Sequence, residues 1–142
     1  MTRRIGLAII GLTVFAAVCG PWLVPHDPDV QALAQRLAGP SWAHPLGLDE
    51  LGRDILARLV AGARISLGVG LTVVSISACV GILVGAVAGY AGGLVDTVIG
   101  RVMDVLLAFP GILLAIALVA VLGPSLTNVV LALVVIGWVG YA

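Results

Sequence analysis

Charged side chains are scarce in this chain: only 10% of its 142 residues are charged, whereas 61% are hydrophobic. A soluble domain normally has about a quarter charged residues, so too few polar side chains are present here to cover a water-soluble globule. Lysine is absent, and the seven arginines are balanced by seven acidic residues. Zero net charge argues against nucleic-acid binding, which requires a basic surface. The composition therefore predicts an integral protein of the lipid bilayer with no nucleic-acid partner.

Cysteine and the usual active-site patterns are also scarce. Cys19 and Cys79 lie sixty positions apart in apolar runs, which favours small packing residues over a disulfide. No Cys/His spacing is suited to a metal site. His26 and His44 stand beside prolines with no partner at a meaningful spacing, and no phosphate-binding glycine loop is present. We therefore predict no enzyme activity, no catalytic residues, no metal ligands and no cofactor.

Long uncharged runs are abundant, and a bilayer requires about 20 apolar residues for each crossing. The first run also resembles a cleavable signal peptide, but its length and poor cleavage site favour an uncleaved span. Gly123-Pro124-Ser125 splits the last run, because Gly-Pro pairs mark turns and proline lacks an amide donor. The chain is thus predicted to be all-α, with four transmembrane helices at 5–24, 65–94, 105–122 and 126–142.

A polar, proline-rich connector separates the first span from the others. Residues 25–64 cannot cross a bilayer, because their backbone amides would be unpaired in lipid. Residues 1–24 then form an amino-terminal tail with the first span, and residues 65–142 hold the remaining transmembrane region. Arg3 and Arg4 predict a cytoplasmic amino terminus and an extracytoplasmic connector. The four arginines of the connector argue against that orientation.

The connector ends in an unusually polar segment at residues 44–54. From Asp49 onward, apolar and charged residues fall on opposite faces of a helix. Asp49 is positioned to cap its first turn, and Asp49–Arg53 and Asp54–Arg58 are favourable i,i+4 pairs. We predict an interfacial amphipathic helix that leads into the second span; a solvated amphipathic stretch is the alternative. The interface motif comprises His44, Pro45, Gly47, Asp49, Gly52, Arg53 and Asp54.

Small residues recur every four positions in the predicted second span, at Ser77, Gly81, Gly85 and Gly89. Such a stripe lets another helix backbone approach closely, which we favour over a pore-lining role. Pro110 lies in the predicted third span and should bend that helix near its cytoplasmic end, because proline removes a helical hydrogen bond.

Asp96, Arg101 and Asp104 are the charges that follow Arg64. Arg101 and Asp104 stand three positions apart and can pair on a helix. Charge inside a membrane often has a functional role such as proton relay. These residues lie at the predicted inner boundary between spans, which favours a boundary or docking role.

Several motifs together resemble one known family. His44–Asp54 is followed by Gly62–Leu67, Gly89–Gly93 and Asp104–Pro110, and further similarity extends to 137–142. In order and spacing, residues 22–142 resemble the C-type inner-membrane subunit of oligopeptide/dipeptide ABC permeases, which belong to the binding-protein-dependent transport family. The resemblance implies a type I importer fold and a pathway for dipeptides, oligopeptides, nickel or other small solutes. It also implies a second permease subunit, two ATPase subunits and an extracytoplasmic substrate-binding protein.

The chain also departs from the family pattern. Family members continue beyond a fourth span into a cytoplasmic Glu-Ala-Ala-type loop that docks on the ATPase. This sequence stops at Ala142, where that loop is expected, so the resemblance implies a fragment without the coupling loop. Two alternatives remain: half of an ion-coupled secondary transporter that uses Asp96 or Asp104, and a small structural membrane protein.

Overall fold

The computed structural model describes residues 2–142, and these residues are mainly helical. Within the described residues, two short 3-10 helices, Leu33–Gln35 and Trp138–Tyr141, accompany five α-helices. Leu48 and Asp54 form an isolated β-bridge. The all-α class is confirmed for the residues described. The α-helices are α1 (Thr2–Leu23), α2 (Ile55–Ala91), α3 (Gly93–Leu107), α4 (Gly111–Leu122) and α5 (Leu126–Gly137).

Two helices are long and apolar enough to cross a bilayer. They are Arg3–Leu23 within α1, with a mean hydropathy of 2.0, and α2, with a mean hydropathy of 2.4. Helices α3 and α4 meet the same test only together, and the segment Leu126–Tyr141 is apolar but shorter. The described residues thus contain two candidate crossings, or three if α3 and α4 make one. The predicted number of four is not confirmed.

Helix α2 begins at Ile55, so the predicted helix start at Asp49 is wrong. The helix then continues for 37 residues to Ala91, and no proline interrupts it. Its length is about 55 Å at a rise of about 1.5 Å per residue. The hydrocarbon core of a bilayer is only about 30 Å thick, so the charged first turns have room to lie outside it. A separate interfacial helix between the first two spans is not confirmed.

The predicted third span, 105–122, is divided between two helices. Helix α3 ends at Leu107, and α4 begins at Gly111 with Pro110 as its N-cap at φ −58°. Proline has no amide hydrogen and disfavours a helical conformation at the preceding residue, Phe109. The two helix axes differ in direction by 86°. The chain therefore turns at this point, where the sequence predicted a bend within one helix.

The chain divides into two compact units, one ending at Gly68 and the other formed by Val69–Ala142. In the first unit, α1 closely approaches α2, because a Cβ on Gly20 would lie 2.5 Å from Cγ1 of Val60.

In the second unit, α4 and α5 pack together across the turn 123–125. The Asn128 amide donates to Ser125 Oγ at 3.1 Å, which caps α5. The Asn128 side chain donates to the carbonyl oxygens of Leu122 and Gly123, each at 2.9 Å. These bonds satisfy carbonyl groups at the end of α4 and hold the turn.

Candidate functional site

The connector folds back on the interface motif through backbone hydrogen bonds. The Leu48 amide donates to the Ala38 carbonyl at 2.9 Å, and the Leu37 amide donates to the Asp49 carbonyl at 3.0 Å. Peptide groups in an irregular segment need such partners or water. These bonds fix residues 44–54 against the middle of the connector.

Two glycines of the motif occupy conformations that other residues avoid. Gly47 has φ +77° and Gly52 has φ +74°. A Cβ on Gly47 would lie 2.6 Å from the Ala38 carbonyl oxygen, and one on Gly52 would overlap another backbone carbonyl of the connector. Pro45 is exposed in the turn that the Gly47 amide closes by donating to the His44 carbonyl at 2.8 Å. Both φ and space therefore require glycine at these two turns.

Asp49 organises the turn that precedes α2. Its Oδ1 accepts hydrogen bonds from the amides of Leu51 and Arg53, each at 2.9 Å. Its Oδ2 lies 2.8 Å from Arg53 Nε and 3.6 Å from Arg58 Nε. Burial alone would raise the pKa of Asp49, but the Arg53 amide and guanidinium, with the Leu51 amide, lower it to about 2. The carboxylate is therefore held in its charged form.

Asp54 is the cap of α2, and its side chain is only 3% exposed. Its Oδ1 accepts a hydrogen bond from the Ala57 amide at 2.7 Å. Its Oδ2 lies 2.8 Å from Nδ1 of His44 and 3.9 Å from Nδ1 of His26. Burial acts to raise the pKa of Asp54, but the Ala57 amide, then His44 and His26, lower it below its usual value.

The predicted Asp49–Arg53 pair is present in the structure, but two other predictions for these acids need correction. Asp54, rather than Asp49, caps the helix, because the helix starts at Ile55. The predicted pairing of Asp54 with Arg58 is wrong, since Asp54 faces the two histidines and Arg58 approaches Asp49.

No pattern in the sequence predicts that His26 lies next to His44. The two ring centroids are 4.8 Å apart. Eighteen positions separate these residues, so no local spacing rule connects them.

Part of the small-residue stripe on α2 faces the segment 137–142. A Cβ on Gly81 would overlap the carbonyl oxygen of Trp138, and one on Gly85 would lie 2.7 Å from the carbonyl oxygen of Ala142. A Cβ on Gly89 would meet no other described residue within 4 Å. Close contact within the stripe therefore does not extend to Gly89.

Ser77 lies at the start of this contact and is 1% exposed. A Cβ on Gly137 would lie 2.7 Å from Ser77 Oγ, so the hydroxyl packs directly on the α5 backbone. Within residues 2–142, this Oγ has no hydrogen-bond partner. Gly137 was not singled out from the sequence, because one glycine in an apolar run does not reveal what packs on it.

The three boundary charges all lie on α3. Asp96 is in its first turn, where a negative charge favours the helix dipole. Arg101 and Asp104 are 3.7 Å apart, and their side chains are 80% and 70% exposed. An exposed pair of this kind contributes about 0–1 kcal/mol to stability. Together with Pro110 at the start of α4, these residues mark the region around the helix break.

Known proteins are similar in sequence to this chain over most of its length. Residues 3–40 match the family described as the N-terminal TM domain of oligopeptide transport permease C. The di/tripeptide transport system permease protein DppC of Pseudomonas aeruginosa is 45% identical over 142 residues, covering 96% of this chain and 47% of that protein. The dipeptide permease DppC of Bacillus subtilis is 43% identical, covering 96% of this chain and 43% of the relative. This chain is similar to the C-type oligopeptide/dipeptide permeases.

A third C-type relative extends the comparison. The probable D,D-dipeptide transport system permease protein DdpC of Escherichia coli is 43% identical, covering 90% of this chain and 43% of that protein. The chain thus spans a little under half the length of these permeases. The resemblance read from the sequence is confirmed, and transport permeases are not enzymes. The relatives and the apolar helices support a multi-pass protein of the inner membrane.

Proposed function

We propose that this chain serves as a membrane permease subunit of an ABC importer. It would form part of the translocation pathway for peptides or similar small solutes. The observation that carries the proposal is the 45% identity, over 96% of the chain, to a di/tripeptide permease. The close contact of α2 with the segment 137–142 supports a role inside the membrane, because small residues allow helix backbones to pack tightly there.

The proposed partners are a second permease subunit, two ATPase subunits and an extracytoplasmic substrate-binding protein. The relatives are named as permease proteins of transport systems, which supports a multi-component assembly. In this assembly the binding protein delivers the solute, and the ATPases drive alternating access to the pathway.

The proposed topology has a cytoplasmic amino terminus, an extracytoplasmic connector at 25–64 and a transmembrane region at 65–142. Arg3 and Arg4 support this orientation. Four crossings require α3 and α4 to act as one crossing and Leu126–Tyr141 as another. Helix α4 alone has 12 residues, or about 18 Å, and is too short to cross.

Cysteine labelling of intact cells tests this topology. Single cysteines at Ser41, Thr97 and Pro124, in a chain carrying Cys19→Ser and Cys79→Ser, are exposed to a membrane-impermeant maleimide. The proposal predicts labelling at positions 41 and 124, and labelling at position 97 only after the membrane is opened. Protection of position 124 in intact cells would contradict four crossings, and protection of position 41 would reverse the orientation.

Uptake of a labelled dipeptide tests the function. Host cells without the gene should lose uptake, and the restored gene should recover it. Uptake should require ATP and persist when the proton gradient is collapsed with ATP maintained. Asp96→Asn with Asp104→Asn should retain uptake. If the chain is part of an ion-coupled transporter, uptake should stop when the proton gradient is collapsed and should be lost in the Asp96→Asn, Asp104→Asn protein. If the chain is purely structural, uptake should not depend on the gene.

A further inference from the structure

Both histidines of the chain converge on one buried carboxylate in the connector. One ligand-capable atom of each of His26, His44 and Asp54 lies within 4.8 Å of the others. A hydrogen bond accounts for the 2.8 Å distance from His44 Nδ1 to Asp54 Oδ2. It does not account for His26, whose Nδ1 lies 3.9 Å from the same oxygen. The second histidine therefore approaches the same carboxylate oxygen without a hydrogen bond of its own.

The donor set is that of a divalent transition metal. Imidazole nitrogens and a carboxylate oxygen bind zinc, and three protein ligands leave a position open for water or another ligand. Asp54 Oδ1 is occupied by the Ala57 amide, so Oδ2 is the oxygen available to a metal. Bonds of about 2.0–2.1 Å in tetrahedral geometry place donor atoms about 3.3 Å apart. This separation falls between the two distances measured to Asp54 Oδ2, and all three ligand atoms lie within 4.8 Å of one another. Side-chain rotations that bring the three atoms to this common separation would close the site.

The surroundings leave room for such an ion. A cavity of about 250 Å³ borders all three side chains and is also lined by Asp27 and Gln35. A cavity of this size can hold an ion together with waters, and the two additional polar side chains can hydrogen-bond those waters. His26 and His44 are partly exposed, which gives an ion a route to the buried oxygen.

We propose that His26, His44 and Asp54 form a binding site for a divalent transition metal of the zinc class. The metal joins three separate parts of the connector: the segment after α1, the turn at residue 44 and the start of α2. The site is independent of the proposed transport function, because it uses no residue of the stripe or of the boundary charges.

Zinc titration of the full chain tests the proposal. The protein is purified in detergent without a polyhistidine tag and carries Cys19→Ser and Cys79→Ser, so that thiols cannot contribute. Calorimetry should show one saturable Zn²⁺ site per chain. His26→Gln and His44→Gln should each weaken binding by at least about tenfold, since even supporting residues of a metal site contribute that much. Glu50→Gln removes an exposed charge of the same segment and should leave the affinity unchanged.

Cobalt absorption spectra provide a second test. They use the protein that carries Cys19→Ser and Cys79→Ser but keeps both histidines, so the result does not depend on whether a histidine variant folds. Co²⁺ should give the visible bands of a site with nitrogen and oxygen ligands, and Zn²⁺ should displace it. Absence of a saturable Zn²⁺ site would overturn the proposal. Equal zinc affinity in folded His26→Gln and His44→Gln proteins would overturn it too.

Discussion

The connector is held together by polar side-chain contacts, whereas the contact between α2 and the segment 137–142 is formed by close packing of small residues. In the connector, Asp49 and Asp54 accept hydrogen bonds from three backbone amides and approach cationic or imidazole side chains. In the α2 contact, the buried hydroxyl of Ser77 has no partner among the described residues, and glycines allow backbone to meet backbone. The chemical identity of a side chain therefore matters most in the connector, and its size matters most in the α2 contact.

The largest effect is expected from added volume in the α2 contact. Gly81→Leu would place a side chain where the Trp138 carbonyl lies, and overpacking should lower the free energy of unfolding by about 3 kcal/mol. Gly89→Leu adds the same volume where space is open and is the matched control. Thermal unfolding in detergent, followed by circular dichroism, measures both. If both variants lost the same free energy of unfolding, the close contact at Gly81 would not be the cause of the destabilisation.

A smaller loss in the free energy of unfolding is expected when a hydrogen-bonded side chain of the connector is removed. Asp54→Ala deletes the cap of α2 and the partner of His44, which should cost about 2 kcal/mol. Glu50→Ala removes an exposed acid four positions earlier and should change stability little. The same unfolding assay compares them. A loss with Glu50→Ala as large as that with Asp54→Ala would show that net charge, rather than the specific contacts, holds the connector.

Acid should weaken the connector through Asp49. The pKa of this carboxyl falls from 3.8 to about 2 on folding, so the unfolded chain takes up its proton first as pH falls. Its contribution is fully present well above pH 3.8, declines below that value and is lost as pH falls through about 2. Asp49→Asn should flatten this part of the stability–pH curve, and Glu50→Gln should not. An unchanged acid slope in Asp49→Asn would refute the assignment.

The smallest effect is expected where a polar group has no partner. Ser77→Ala removes a buried hydroxyl without adding volume, so stability should stay the same or rise by up to about 1 kcal/mol. Ser77→Val adds volume toward Gly137 and should destabilise the chain. A clear loss with alanine in the unfolding assay would mean that the hydroxyl forms a bond that matters.

The helices were largely predictable because apolar runs extend over many residues and no single contact decides them. The residue at which α2 starts could not be predicted, because both Asp49 and Asp54 are suitable N-cap residues. His44, which lies ten positions before Asp54 and pairs with it in the structure, distinguishes the two. The effect of Pro110 was foreseen as a bend within one helix, whereas in the structure one helix ends before this residue and the next begins after it, at an angle of 86°.

The candidate site was predictable to a similar degree. Gly81 and Gly85 followed from a spacing of four, which is local information. The approach of His26 to Asp54 could not be predicted, because they are 28 positions apart and only the folded connector brings them together. Long-range polar contacts leave no periodic trace in a sequence, whereas helix packing does.

The backbone approach at Gly81 and Gly85 also limits how the gene can change. Every single-base change in a glycine codon that alters the amino acid gives a residue with a side chain or a stop codon. At these two positions each such residue would press on the backbone at Trp138 or Ala142. Selection is therefore expected to remove such mutations at these codons, unless a second change first moves the segment 137–142 away.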